Sequence, residues 1–177
     1  MAKKKKSVKK KARKAAVAEP SPFWRQAGAV LFMLGALFLL LGGFGIGGAL
    51  PVKLFEGAYW TFGWVAYLTP LALVYWGVSK FMAEDHELPL SKLTGMLAVL
   101  VFGSGWAYTA FASENGGVWI GGHGGEVGEL VGNMALSALD KIPAALLFLV
   151  LTVLAVFFAF GISLKVLLKL ADLFKRP

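Results

Sequence analysis

Cysteine is missing from all 177 residues, which excludes a disulfide framework, a thiolate nucleophile and any cysteine-built metal site. Charge is scarce too: Asp, Glu, Lys and Arg make up 16% of the chain, against about 25% in soluble domains. With apolar residues at 58%, too little polar surface remains to cover a water-soluble particle of this size. The chain also has no G-x-x-x-x-G-K-[ST] phosphate loop and no alternating strand and helix pattern, so the parts of an ATP-driven motor are absent from it. Ser, His and Asp occur, but in no arrangement that suggests a triad, and no cofactor or catalytic residue is expected.

Long apolar runs take the place of all these. Residues 142–164, IPAALLFLVLTVLAVFFAFGISL, contain no ionisable side chain, and fifteen of the twenty-three are Leu, Ile, Val or Phe. As a helix rising about 1.5 Å per residue, such a run is roughly 34 Å long and matches the ~30 Å hydrocarbon core of a bilayer. Its transfer into lipid is favourable by roughly 5 kcal/mol or more. Three further charge-free windows precede it, at residues 27–52, 57–79 and 93–113. The first is too long for the apolar core of a cleavable signal peptide, so it reads as an uncleaved anchor.

The expected fold class is therefore an all-α membrane protein with four transmembrane helices, at about residues 27–50, 58–79, 93–113 and 142–164. A basic tail, residues 1–22, precedes this 23–177 domain. Ser21 and Pro22 suggest a helix start. Pro70 lies inside the second window, where a kink is expected; the carbonyl it frees needs a partner, which Thr69 or a neighbouring helix could offer. Lys53 and Glu56 are expected in a short exposed turn. Glu84, Asp85, His86 and Glu87 follow one another in a polar loop, a spacing that fits a solvated turn better than a metal site.

Small residues supply the helix-packing candidates. Gly28, Gly35 and Gly42 recur every seven residues in the first window, and Gly124, Gly128 and Gly132 every four in the loop 114–141. Both spacings place glycine on one side of a helix, where another backbone can come close. The loop begins glycine-rich, and from Glu126 onward it suggests a short amphipathic helix at the outer surface. Glu126, Glu129, Asn133, Ser137 and Asp140 share one arc of it, opposite Val127, Val131, Met134 and Ala138. His123 with Glu126 is too small a set for a metal ion. Beyond the last span, Lys165, Lys169, Asp172 and Arg176 repeat at helical spacing. The helix is thus expected to continue as an amphipathic segment whose basic side meets anionic lipid headgroups.

Charge gives the orientation. With four spans both termini share a side, and that side carries sixteen of the eighteen Lys and Arg residues; Lys53 and Lys141 alone lie opposite. The positive-inside bias places both termini in the cytoplasm. Nine of the basic residues crowd into the first fourteen positions, without an aromatic residue between them, so any contact with DNA is electrostatic at most.

The lysine-rich start, FGWVAYLTPLALVYWG in the second span, GGHGGEVGELVG in the outer loop and FGISLKVLLKL at the end together resemble the N-terminal four-span membrane domain of FtsK/SpoIIIE-type bacterial DNA translocases, over residues 24–170. The matching positions are Phe62, Gly63, Trp64, Tyr67, Leu68 and Pro70, then Gly121, Gly122, Gly125 and Gly128, then Gly161, Ser163 and Leu164. The resemblance implies a multi-pass protein of the bacterial inner membrane that anchors and assembles a translocase in cell division and chromosome partition. It also implies divisome proteins and a cytoplasmic ATPase motor, in cis or in trans, as partners, with DNA reached only indirectly, while the small-residue faces and the outer ridge themselves suit lateral association, so homo-oligomers are expected. Pro177 falls where a linker to such a motor would begin, and the chain reads either as a membrane-domain fragment or as a separate anchor. A small channel or transporter gated at Pro70 and the glycine-rich loop is the alternative, disfavoured because the spans hold no acid or base to relay a proton or bind an ion.

Overall fold

The computed structural model describes residues 22–82 and 90–162. The basic tail up to residue 21, the loop with Glu84, Asp85, His86 and Glu87, and the segment with Ser163, Leu164, Lys165, Lys169 and Arg176 lie outside the described residues.

Helix α1 (Pro22–Gly43) is followed by a five-residue turn and α2 (Ala49–Phe62), then a 3-10 stretch (Gly63–Leu68) and α3 (Thr69–Met82). Next come α4 (Leu90–Phe111), a hairpin of β1 (Ser113–Asn115) and β2 (Val118–Ile120), α5 (Gly125–Leu136) and α6 (Lys141–Phe160). Among the described residues four helical stretches, the second running continuously from Ala49 to Met82, are long and apolar enough to cross a membrane.

Helix α1 ends where glycine crowds the chain. Gly45, Gly47 and Gly48 all take positive φ, and the backbone reverses into α2. Lys53 and Glu56 do not form the expected turn: both lie within α2, paired at 2.7 Å one helical turn apart on its exposed side. Helical order thus starts at Ala49, earlier than the expected 58, because the pair satisfies both charges without ending the helix.

The irregularity of this second stretch also sits upstream of the proline. Gly63 takes φ 59°, the next turn winds as 3-10, and regular α-helix resumes at Thr69 with Pro70 in its first turn, where a missing N–H costs little. The carbonyl that Pro70 would have bonded belongs to Ala66, and it accepts from the Thr69 hydroxyl. The helical path runs through Pro70 without stopping, with the acceptor it leaves free satisfied locally.

Packing divides the bundle into two pairs. Helix α3 lies along α1, with Gly77 against Phe32 and Met33, Gly35 against Leu73, and the Phe32 and Trp76 rings edge to face at 6.0 Å. Helix α4 lies along α6, where a Cβ on Gly95 would stand 2.6 Å from the Ala159 Cα and one on Gly105 2.8 Å from the Phe148 ring. A shared core joins the pairs: Val65, Ala72 and Trp76 meet Met96, Val99, Leu100 and Ala107 of α4, and Ala155 and Ala159 of α6. The Tyr75 hydroxyl adds a bond to the Ala159 carbonyl.

The described part of α6 stops before the expected residue 164. Gly161 takes the left-handed conformation at φ 64°, and the N–H of Ile162 returns to the Phe157 carbonyl at 2.9 Å. This glycine cap ends α6 at Phe160 within the described residues. The expected amphipathic helix before α6 is also shorter. It ends at Leu136, with the Ser137 hydroxyl bonding the Met134 carbonyl.

Candidate functional site

The residues that carry most sequence information converge at one place, where the break in the second stretch meets the loop ahead of α5. A Cβ on Gly63 would overlap the His123 carbonyl, and one on Gly125 would stand 2.6 Å from the Trp60 carbonyl. Two backbones therefore touch without side chains between them, and at φ 59° and 63° both positions favour glycine on conformational grounds as well. The contact is bonded. The Trp64 N–H donates to the His123 carbonyl at 2.9 Å, while the His123 N–H donates to Ala107 of α4 at 3.3 Å.

Aromatic rings close over this junction. The His123 imidazole lies flat on Trp64, with centroids 4.1 Å apart and planes 5° from parallel, and Phe111 packs beside both at 5.0 and 5.5 Å. Among the described residues no group of three His, Asp or Glu is placed to hold a metal ion.

Helix α4 fits into the other side of the same glycine surface. Gly124 and Gly128 press on the Ser104 carbonyl, and the Tyr108 ring is flanked by Gly122 on one side and Gly132 on the other. Ser104 and Tyr108 are buried, and both bond out of α4: Ser104 donates to the Phe62 carbonyl at 3.1 Å and Tyr108 to the Trp119 carbonyl at 2.8 Å. Asn133 Oδ1 stands 3.1 Å from the Tyr108 hydroxyl.

The glycine ridge Gly124, Gly128 and Gly132 accordingly lies against α4 of the same chain. Gly28 and Gly35 of α1 face Lys80 and Leu73 of α3, and Gly42 faces Pro51 and Phe55 of α2. All six packing candidates thus meet neighbours within the chain. On α5 the glycines with Leu136 form the buried side, whereas Met134, expected on the apolar side, is 70% exposed along with Leu130 at 66%. Close backbone approach outweighs side-chain apolarity here because the facing helix offers a carbonyl and a flat ring, which leave no room for a side chain.

Beside the junction, α2 and α5 bound an open groove of about 630 Å3, lined among others by Phe55, Tyr59, Tyr67, Glu126 and Glu129. None of these was singled out from sequence as part of one site. Tyr67 alone stood among the motif residues, and the hydroxyls of Ser104 and Tyr108 inside an apolar run were the available hint of buried partners.

A family model describing the 4TM region of DNA translocase FtsK/SpoIIIE matches residues 43–172. The chain belongs to this family. The FtsK/SpoIIIE match begins at the last residue of α1, so most of the first span precedes it. It takes in both sides of the junction: Gly63 and Trp64 as well as the Gly121–Gly128 run. No curated protein and no solved structure matches the chain. As a member of the FtsK/SpoIIIE 4TM family with four candidate spans, the protein is a multi-pass membrane protein, and what it matches is the family's membrane region, not its motor.

Proposed function

We propose that the chain is the membrane anchor and assembly module of a DNA translocase acting in bacterial cell division and chromosome segregation, with the motor in cis or on a partner chain. Both termini lie in the cytoplasm, and the junction and α5 lie on the outer side of the inner membrane. Family membership carries this reading. Supporting it, the hydroxyl-bearing side chains buried among the described residues are Thr69, Ser79, Ser104, Tyr108 and Thr109, none of them charged at neutral pH, so the bundle interior is built to hold helices together and not to conduct.

Association between copies uses the outward faces of α1 and α6, because the glycine faces are occupied within the chain. Leu34 and Leu37 of α1 and Leu146 and Val150 of α6 stand on those faces. In mild detergent, light scattering gives an oligomeric mass that falls when Leu146 and Val150 are both replaced by Trp. A monomer at every concentration overturns the assembly role. Labelling of single cysteines at residues 10 and 130 on sealed vesicles finds them on opposite faces; the same face for both overturns the orientation.

A further inference from the structure

We propose that the groove between α2 and α5 binds a cationic side chain, an arginine or lysine carried by an extended segment of a partner protein on the outer side. Two kinds of recognition meet there. Phe55, Tyr59 and Tyr67 form a contiguous ring cluster, with centroids 4.9 Å (Phe55–Tyr67), 6.3 Å (Phe55–Tyr59) and 6.4 Å (Tyr59–Tyr67) apart, and both tyrosines remain exposed. Ring faces of this kind attract cations. Glu126 and Glu129 stand on the opposite wall, both exposed, and neither is ion-paired among the described residues. Glu56 also lines the groove but is already neutralised by Lys53 at 2.7 Å, and no Lys or Arg is among the lining residues.

The surplus of negative charge repels phosphates and carboxylates, while the rings leave a purely hydrated small ion without reward. At about 630 Å3 the groove has room for a long side chain and its flanking backbone, far more than a single ion needs. Exposed charges on both bounding helices, the Lys53–Glu56 pair on α2 and Glu126 and Glu129 on α5, keep the mouth in water, where a protein segment can enter. A lipid amine shares the cationic chemistry, so the experiment separates the two sources.

The test uses the full chain in nanodiscs of phosphatidylglycerol, which has no amine, titrated with a capped tripeptide bearing a central arginine and with its uncharged citrulline counterpart. Saturable binding of the arginine peptide is expected, weakened about tenfold by citrulline, by Glu126→Gln with Glu129→Gln, or by Tyr59→Leu on the ring wall. All three positions are exposed, and unchanged gel-filtration elution and circular dichroism verify the fold. Equal binding of both peptides, or undiminished binding by the Gln pair and the Tyr59 variant alike, overturns the proposal. So does loss of peptide binding when phosphatidylethanolamine is added to the nanodisc, because the occupant is then the lipid. Oligomer mass is read separately, so failure here is distinguishable from failure of the assembly role.

Discussion

Helices α4 and α6 are similar in length and lie side by side, yet they relate to their surroundings in opposite ways. Of the α4 span 56% is buried inside the protein, against 22% of the α6 span, although α6 is the more apolar of the two. In water the most apolar helix would occupy the centre. In lipid the acyl chains solvate Leu and Phe as well as another helix does, so apolarity confers no preference for the interior. What draws α4 inward is its glycines, which permit close approach, and Ser104 and Tyr108, whose hydroxyls bond to carbonyls outside the helix. The outward leucines of α6 need no partner within the chain, and acyl chains or a second copy cover them equally well.

This contrast is breakable, and the sharpest way is at the junction. Gly63→Ala adds a methyl group where the His123 carbonyl lies, at a φ of 59°, and is expected to cost about 3 kcal/mol or more. Thermal unfolding in detergent should show a large drop or no folded protein. Gly128→Leu forces a side chain against Ser104 and is expected to cost about 2 to 3 kcal/mol within a single chain. A normal melt with only the oligomer mass reduced would instead make Gly128 an interface between copies.

Smaller effects follow from single hydrogen bonds. Ser104→Ala removes the bond to the Phe62 carbonyl and should lower stability by about 1 kcal/mol. Thr69→Val, which keeps the shape and leaves the Ala66 carbonyl one donor short, should cost about the same or slightly less, read from the same melts. At the far end of the scale, Leu146→Ala on the outward side of α6 is expected to stay within about 0.5 kcal/mol for the single-chain fold. If Leu146→Ala were as damaging as Ser104→Ala, the distinction between the lipid-facing and buried helices would collapse.

Span number was legible because a bilayer demands about twenty consecutive apolar residues, and 142–164 or 93–113 can hardly be read otherwise. The partner for the carbonyl freed by Pro70 was legible for the same reason, since Thr69 is adjacent in sequence. The true position of the irregularity was not. Gly63 is one glycine among twenty-two, and only its contact with His123, sixty residues later, makes it the point where the helix changes. The hairpin Ser113–Ile120 escaped notice because its strands are three residues long and lie where the third span was read as ending and a glycine-rich loop as beginning.

The occupant of the glycine ridge was likewise undecidable from spacing. Gly124, Gly128 and Gly132 mark a surface for close approach, but a neighbouring copy and a neighbouring helix of the same chain satisfy that surface equally well. Sequence alone determined that four apolar rods of bilayer length form, because each rod meets its own backbone hydrogen bonds and needs no partner to be stable in lipid. Which faces touch, and that the most apolar span does not stand at the centre, was left to the tertiary structure. Contacts between helices in a membrane depend on shape and a few hydrogen bonds, and these come from residues far apart in the chain.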